Sequence, residues 1–206
     1  MEIFASLLGH NLLNIEKIFV DTNFVTGYHL DMIDLNFAPN LGLGTDLVNS
    51  ILGNTNKKIY IHLMVNNPEL VIDKLAISLN KPIIAWHFES NKNQLLIEIL
   101  KELKVEISLA VKATTPFENY KNTLHKVDRV LLLTVEPGFS GGKFIEKSFE
   151  IIKQIIDYRK INNLSFKIDI DGGLDYEKIL KLNKTPVDSI TSSKFALLEK
   201  ITKDLF

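Results

Sequence analysis

The stretch "YHLDMIDLNFAPN", residues 28–40, begins as an apolar strand that His29, Asp31 and Asp34 interrupt, and it ends in a loop rich in turn-forming residues. Residues two apart in a strand point to the same face of a sheet, so the imidazole of His29 and the carboxylate of Asp31 are expected to project together. A strand that only has to fold has little use for such a pair. The pattern therefore predicts a strand with functional side chains near its carboxyl end.

Strand-like runs of this kind recur along the chain, and helix-like segments separate them. The runs are short, nearly continuous and rich in Ile, Val and Leu, as is typical of parallel strands covered on both faces. They cover residues 3–8, 28–34, 58–65, 82–88, 106–111, 129–135, 166–171 and 188–192. The clearest helix covers 145–160, and others are expected to begin near Asn11, Thr45, Pro68, Asn91, Pro116 and Asp175.

This alternation predicts an α/β fold, a (β/α)8 TIM barrel that forms a single domain over residues 1–206. The length is at the small end of the range for this barrel. A doubly wound open sheet has the same alternation of strands and helices, so it remains an alternative at this stage.

Composition and charge exclude several classes of function. The chain is 46% hydrophobic and 24% charged, as is usual for a globular protein. Its formal net charge is -1, so it has no overall positive charge that would attract nucleic acid or an anionic membrane. Cysteine is absent, so disulfides, thiolate metal sites and cysteine nucleophiles are excluded. The chain has no apolar run near the roughly 20 residues of a membrane span, and Glu2 stands where a signal peptide would carry positive charge. We expect a soluble cytoplasmic protein without a nucleic-acid or membrane partner.

Polar residues at the ends of three strands predict a metal site. His62 is the only strongly polar residue in "YIHLMV", and Asp169 and Asp171 share a face in "FKIDIDGG". In a barrel the carboxyl ends of the strands converge on one rim, where active sites of this fold lie. His29, Asp31, His62 and Asp171 would then offer two nitrogens and two carboxylates to a divalent ion such as Zn²⁺, Fe²⁺, Mn²⁺ or Co²⁺.

Each of these residues also has a purely structural interpretation when it is taken alone. A buried histidine is more often a hydrogen-bonded core residue than a ligand, and an aspartate can cap a helix or pair with a lysine. Only the joint placement on converging strands favours the metal. His10 and His125 are predicted to be structural. His87, at the end of the fourth strand, could support the ligands from behind or belong to the core, and the structural role is favoured.

Three glycine- or serine-containing segments predict an anion site. "TVEPGFSGGKF" (134–144) places Gly138, Gly141 and Gly142 between a strand and a helix, where free backbone N–H groups can cradle an anion. It is not a Walker P-loop, because Pro137 and Phe144 occupy positions that this motif reserves for other residues. "DGGL" (171–174) and "TSSK" (191–194) follow the last two strands, whose loops often bind phosphate in barrels. Ordinary turns are the alternative for each segment.

Taken together, "HLDMIDLNFAPN", "IHLMVNNPE", "TVEPGFSGGKF" and "DIDGGL" resemble the signature segments of the ribulose-phosphate 3-epimerase family, in the same order. The resemblance runs from "ASLLG" near the start to "ITSSKF" near the end. It implies a metal-dependent epimerase that interconverts D-ribulose 5-phosphate and D-xylulose 5-phosphate through an enediolate, as an isomerase of the pentose phosphate pathway. It also implies a homo-oligomer, either a dimer or a hexamer.

The resemblance assigns roles by position. One divalent metal ion would be held by His29, Asp31, His62 and Asp171, and Asp31 and Asp171 would be the catalytic acid–base pair. The substrate and its phosphate would contact Ser6, His62, Met64, Gly138, Phe139, Ser140, Gly141, Gly172, Gly173, Ser192 and Ser193.

The chain also departs from the family pattern. Ile33 and Leu133 stand where methionines are usual, Leu35 and Ser192 replace glycines, and Gly142 replaces a glutamine. These changes leave open an epimerase for a related ketose phosphate, such as D-allulose 6-phosphate. Two further alternatives are a sugar-phosphate-binding barrel that has lost catalysis, and a lyase, aldolase or decarboxylase that uses Lys112.

Overall fold

Eight parallel strands close into a barrel in chain order in the computed structural model, which describes residues 1–90 and 93–205. Each strand pairs with the next, and the last pairs with the first. The strands are β1 (Glu2–Ser6), β2 (Gly27–Ile33), β3 (Lys58–Met64), β4 (Ile83–His87), β5 (Glu106–Lys112), β6 (Arg129–Leu133), β7 (Lys167–Asp171) and β8 (Ser189–Ser192). All eight predicted strands are confirmed, and the closed order excludes the doubly wound sheet.

Helices follow the strands on the outside of the barrel. They are α1 (Ile15–Asp21), α2 (Thr45–Asn54), α3 (Pro68–Ile72), α4 (Asn93–Leu103), α5 (Phe117–Tyr120), α6 (Ser148–Ile161), α7 (Tyr176–Leu182) and α8 (Phe195–Leu205). The helix predicted over 145–160 begins only at Ser148, because Ile145 donates its N–H to the carbonyl of Thr134 and ties this segment to the end of β6. The helix start predicted near Asn91 lies outside the described residues. Within the described part of the chain, the helices are all too short or too polar to cross a membrane.

Alternating side chains build two cores, because successive residues of a strand face opposite sides of the sheet. Residues such as Leu30 and Met32 of β2 face outward and pack in the main core beneath the helices. A smaller cluster fills the barrel interior and consists of Phe4, Tyr60, Ile83, Ala85, Ala110 and Leu131. Full burial of one such large apolar side chain stabilises the fold by about 1.5–3 kcal/mol.

The amino end of the barrel is closed by an ion network around Arg129. This fully buried guanidinium donates to both carboxylate oxygens of Asp169, at 2.6 and 2.8 Å, and to Glu2 and Glu106. The hydroxyl of Tyr60 also donates to Asp169. Asp169 therefore belongs to the structural end of the barrel, although it shares a strand face with Asp171.

The loop after β2 is held by Asp34. Its carboxylate accepts the N–H groups of Asn36, Phe37 and Asn66, so it joins the loop after β2 to the loop after β3. Leu35 follows with a φ of 63°, in the left-handed region that a leucine rarely occupies. The family's usual glycine at this position would adopt that conformation without strain.

Candidate metal centre and active site

The four residues predicted as metal ligands meet at the carboxyl end of the barrel. The register of β2 and β3 places Asp31 beside His62, and barrel closure brings β7 with Asp171 to the same point. One ligand atom from each of the four residues lies within 4.8 Å of the others. His29 and His62 are fully buried, and the two aspartates are 3% and 8% exposed. The structure therefore brings together the whole predicted set.

The spacing of the donor atoms fits a single divalent ion. His29 Nε2 lies 3.2 Å from His62 Nδ1, 3.3 Å from Asp31 Oδ1 and 3.4 Å from Asp171 Oδ2. His62 Nδ1 lies 3.2 Å from Asp31 Oδ1 and 3.5 Å from Asp171 Oδ2. Four ligands bound tetrahedrally at 2.0–2.1 Å are about 3.3–3.4 Å apart, so the cluster has the size and the chemistry of such a site. This set of two imidazoles and two carboxylates could bind a metal, and it suits several borderline ions equally.

Electrostatics within the cluster favour an ionised Asp31 and a charged His62 when the protein holds no metal. Burial opposes the charge of Asp31, but His29 and His62 outweigh it and hold the pKa of this carboxyl well below its usual range. Burial likewise opposes the charge of His62, yet hydrogen bonds to Asp171 and Asp31 raise its pKa to about 9. The cluster thus attracts positive charge, which a divalent cation would supply more strongly than a proton.

Outer contacts orient three of the four ligands. The Ser6 hydroxyl donates to Asp31 Oδ2 at 2.9 Å, which leaves Oδ1 turned to the cluster, and His29 Nδ1 lies 3.3 Å from the hydroxyl of Thr191. His62 Nε2 lies 2.9 Å from His87 Nε2. Ser6 was expected from the resemblance as a substrate contact, and its hydrogen bond adds a role in holding Asp31.

His87 is buried among these outer contacts. Its Nδ1 lies 3.0 Å from Glu89 Oε2, and burial lowers the pKa of His87 to about 4. Burial opposes the charge of Glu89, but the hydrogen bond to His87 and further donors hold the pKa of this carboxyl down to about 2. From the sequence, a structural role was favoured for His87 over support of the ligands, and Glu89 was not singled out. The order His–x–Glu at the end of a strand was the available signal.

A cavity opens above the cluster at the mouth of the barrel. Asp31, Asp171 and all the residues expected to contact substrate line it, apart from His62, which lies beneath with His29. The lining residues are Ser6, Leu8, Asp31, Met64, Leu133, Val135, Glu136, Pro137, Gly138, Phe139, Ser140, Gly141, Gly142, Asp171, Gly172, Gly173, Leu174, Ser192, Ser193 and Lys194. Glu136 and Lys194 were missed in the sequence.

One wall of the site is apolar. Ile33, Met64 and Leu133 are each at most 5% exposed and pack with Ala38 and Val135. Isoleucine and leucine thus replace two of the family's usual methionines without opening the wall. They remove two flexible thioethers from this apolar cluster.

The three candidate anion segments converge on the same cavity. The hydroxyls of Ser140 and Ser193 are 2.8 Å apart, which joins the loops after β6 and β8. Gly172 and Gly173 have φ values of 100° and 66°, and a Cβ at Gly173 would lie 2.7 Å from the backbone of Phe144. These positions require glycine, and the resulting loop keeps its backbone open to the cavity.

Ser192 replaces a glycine of the family, and its side chain folds back onto the backbone of the residues that follow it. Its hydroxyl accepts the backbone N–H of Lys194 at 3.1 Å, just before α8 begins. The hydroxyl therefore engages one amide near a helix start, where N–H groups commonly bind anions. Lys194 adds a cation to the same end of the cavity.

The remaining residues singled out in the sequence have packing partners. His10 stacks on Phe195 with ring centroids 4.0 Å apart, and His125 hydrogen-bonds the Tyr158 hydroxyl. The ammonium of Lys112 lies 4.3 Å from the ring centroid of Phe37, a cation–π contact. This contact favours a packing role for Lys112 over the Schiff-base role of the lyase alternative.

Comparison with solved structures shows the same fold in distant proteins. Two mutant tryptophan synthase alpha-subunits from Pyrococcus furiosus superpose with TM-scores of 0.69 and 0.70. Their sequence identities are 10% and 11%, over 98% of this chain and 91% and 96% of theirs. Likeness at this identity establishes the TIM-barrel architecture alone.

Sequence comparison identifies the family. The profile of the "Ribulose-phosphate 3 epimerase family" matches residues 2–196. The ribulose-phosphate 3-epimerase of Helicobacter pylori is 27% identical, with 98% of this chain and 94% of that protein covered. The enzymes of the same name from Aquifex aeolicus and Methanocaldococcus jannaschii are 32% and 31% identical, over 79% and 86% of this chain and 73% and 76% of theirs. The chain therefore belongs to the ribulose-phosphate 3-epimerase family.

Proposed function

We propose that this protein is a metal-dependent ribulose-phosphate 3-epimerase that interconverts D-ribulose 5-phosphate and D-xylulose 5-phosphate. The observation that carries the proposal is the cluster of Asp31, Asp171, His29 and His62 at the floor of a cavity whose far side is an open glycine- and serine-containing backbone. Membership of the epimerase family supports the same reaction.

Epimerisation beside a ketone requires two proton carriers. A proton leaves carbon 3 on one face of the sugar, and another returns on the opposite face, so one carboxyl must be ionised while the other is protonated. Asp31 and Asp171 enter the cavity from β2 and β7, which β1 and β8 separate. In our proposal the ionised Asp31 removes one proton and Asp171 supplies the other, and the roles reverse for the return reaction.

His29, Asp31, His62 and Asp171 would hold the divalent ion. When bound, the ion would place positive charge beside the ketone and hydroxyl oxygens, which stabilises the enediolate by several kcal/mol. Ser6 keeps Asp31 oriented through its hydrogen bond to Oδ2. Met64 and Leu133 line the cavity with apolar surface and would keep bulk water from the reacting carbon, so that protons reach the enediolate through the two carboxyls.

The far end of the substrate would be held by the loops after β6, β7 and β8. Backbone N–H groups around Gly138–Gly141, Gly172, Gly173, Ser192 and Ser193 are the proposed phosphate contacts, and Lys194 adds positive charge. Holding the phosphate aligns carbon 3 between the two carboxylates without the loops joining the chemistry. Assembly into a dimer or hexamer, and a single domain over the whole chain, remain predictions from the sequence.

A related ketose phosphate is the competing substrate. Ile33 and Leu133 reshape the wall beside the reacting carbon relative to the family's usual methionines, and a longer sugar such as D-allulose 6-phosphate is the matched comparison. A barrel that only binds sugar phosphates has no need of two converging carboxylates, so the intact pair favours an active enzyme.

The test is solvent exchange at carbon 3. Protein loaded with a divalent metal is incubated with D-ribulose 5-phosphate in D₂O, and deuterium at carbon 3 and D-xylulose 5-phosphate are followed by NMR. We expect both to appear, and Asp171→Asn to lower the rate by about 10²–10⁴-fold while the substrate still binds. Asp157→Asn, a change on the exposed face of α6, is the control and is expected to keep full activity.

Retention of full exchange by Asp171→Asn would remove the acid–base assignment. Faster turnover of the six-carbon substrate would move the proposal to the related epimerase, and absence of exchange with both sugars would leave only a binding function.

A further inference from the structure

The second ligand histidine, His62, is the start of a buried hydrogen-bond chain that the proposed reaction does not use. Its Nδ1 faces the metal cluster, and its Nε2 lies 2.9 Å from Nε2 of His87, with the two ring planes 26° apart. His87 Nδ1 in turn lies 3.0 Å from Glu89 Oε2. Both rings are completely buried, so water does not compete for these hydrogen bonds.

Glu89 is held by a backbone N–H group, whose hydrogen bond cannot reverse direction. Its Oε1 accepts the backbone N–H of Lys112 at 3.0 Å, which is always a donor, and the hydroxyl of Thr115. Oε2 is left to face His87. An ionised carboxylate only accepts hydrogen bonds, so the proton of the His87–Glu89 contact must lie on His87 Nδ1.

The protonation of His87 in turn fixes the hydrogen bond between His87 and His62. A neutral imidazole with its proton on Nδ1 has a bare Nε2, which must accept the hydrogen bond from His62. His62 therefore carries a proton on Nε2, and its Nδ1 is the atom that can give a lone pair to a cation. Metal-binding histidines generally hold a second partner in this way.

We infer that His87 and Glu89 are positioning residues that set the tautomer of His62, so that its Nδ1 lone pair faces the metal site. The inference rests on the proposed function because it takes the four-residue cluster to be a metal centre. It adds two residues that touch neither the substrate nor the ion. The anchor of the chain is the Lys112 amide at the end of β5, so the arrangement links β3, β4 and β5.

Glu89→Gln is the most direct test. It keeps the shape of the side chain, but it reverses the direction of the hydrogen bonds that link residue 89, His87 and His62. The amide oxygen must stay with the N–H of Lys112, which turns the amide NH₂ toward His87 Nδ1. His87 then carries its proton on Nε2 and His62 on Nδ1, the atom that should bind the ion. We expect the affinity for Co²⁺ to fall about 10–100-fold.

Two readouts apart from activity measure this effect. Co²⁺ titration followed by visible absorption gives the dissociation constant. ¹⁵N NMR of labelled histidines in the metal-free protein, at a pH high enough for His62 to be neutral, reports which ring nitrogen of His62 and His87 carries the proton. Glu102→Gln on the exposed face of α4 is the matched control and should leave both readouts unchanged. A purely structural role of Glu89 would lower the melting temperature without moving the protons.

A second pair of variants tests the inference independently of Glu89, in case Glu89→Gln does not fold. His87→Phe removes both hydrogen bonds, whereas His87→Gln keeps an acceptor for His62 and a donor for Glu89. We expect His87→Gln to bind Co²⁺ several-fold more tightly than His87→Phe.

Wild-type affinity together with an unchanged His62 tautomer in Glu89→Gln overturns the inference and leaves the proposed function intact. Absence of Co²⁺ binding by the wild-type protein instead overturns the metal-dependent function, and the inference with it.

Discussion

At the scale of single residues, the site depends on polar, ionisable side chains that are buried inside the barrel. His29 and His62 are completely buried and have carboxylates as neighbours, an environment that costs stability unless every polar atom has a partner. Asp31 meets this requirement through Ser6 on one oxygen and the imidazoles on the other. The cluster is therefore arranged to hold positive charge, either as protons or as a metal ion.

Proton competition makes metal binding depend on pH. Without metal the pKa of His62 is about 9, so at neutral pH this ring must release the proton on Nδ1 before it can bind a cation. Because lower pH favours the proton, we expect affinity to rise roughly tenfold per pH unit up to about pH 9 and then to level off. Titration of the metal-free protein with Co²⁺ at several pH values measures the slope. An affinity that does not change between neutral pH and pH 9 would contradict the raised pKa.

At the scale of the element, β7 shows how one strand serves two purposes. Asp169 and Asp171 point to the same face of β7, but Asp171 lies two residues nearer the carboxyl end of the strand. Asp169 is bound by Arg129, Tyr60 and Ser189 in the closed interior, whereas Asp171 reaches the cavity at the mouth. The two aspartates are chemically identical and differ only in their depth in the barrel.

This difference predicts separate effects of the same substitution. Asp169→Asn leaves the buried guanidinium of Arg129 without its main counter-charge, and removing one partner of a buried ion pair typically costs about 3–5 kcal/mol. We expect Asp171→Asn to lose far less stability while it loses activity. Urea unfolding of the metal-free variants gives both free energies of unfolding, with Asp157→Asn as the control. A loss for Asp169→Asn no larger than that of the control would show that Asp169 has no special structural role.

At the scale of the whole molecule, the metal cluster joins strands that are distant in the chain. Its ligands come from β2, β3 and β7, and β7 reaches the others only because β8 pairs with β1. A bound ion would connect opposite sides of the barrel mouth. Metal loading should therefore stabilise the entire fold as well as enable catalysis.

Removal of the metal is expected to lower the melting temperature. An ion present at 100 times its dissociation constant stabilises the folded state by about 2.7 kcal/mol. For a chain of this size each kcal/mol changes the melting temperature by about 2–4 °C, so chelation should lower it by roughly 5–10 °C. Differential scanning calorimetry with and without a chelator measures the shift. His62→Gln serves as the control, because a ligand variant should melt at the same temperature in both conditions.

Much of the molecule was predictable because its signals are local. The eight strands are runs of apolar residues whose burial on both faces is visible in composition, and the helix starts follow from capping residues and proline. The ligands of the cluster were predictable because His and Asp are rare in such strands. Asp34 was equally conspicuous in the sequence, but it holds a loop, and nothing local distinguishes it from a ligand.

The sequence by itself determined the strand–helix alternation, the family signature and the residue types of the site, since each depends on neighbouring residues. Only the tertiary structure decided that the sheet closes, because closure rests on the pairing of β1 with β8 across nearly the whole chain. Tertiary structure also decided that Asp169 stabilises while Asp171 faces the cavity, and that His87 and Glu89 support His62. These roles depend on strand register and depth in the barrel, which long-range packing sets and local sequence does not encode.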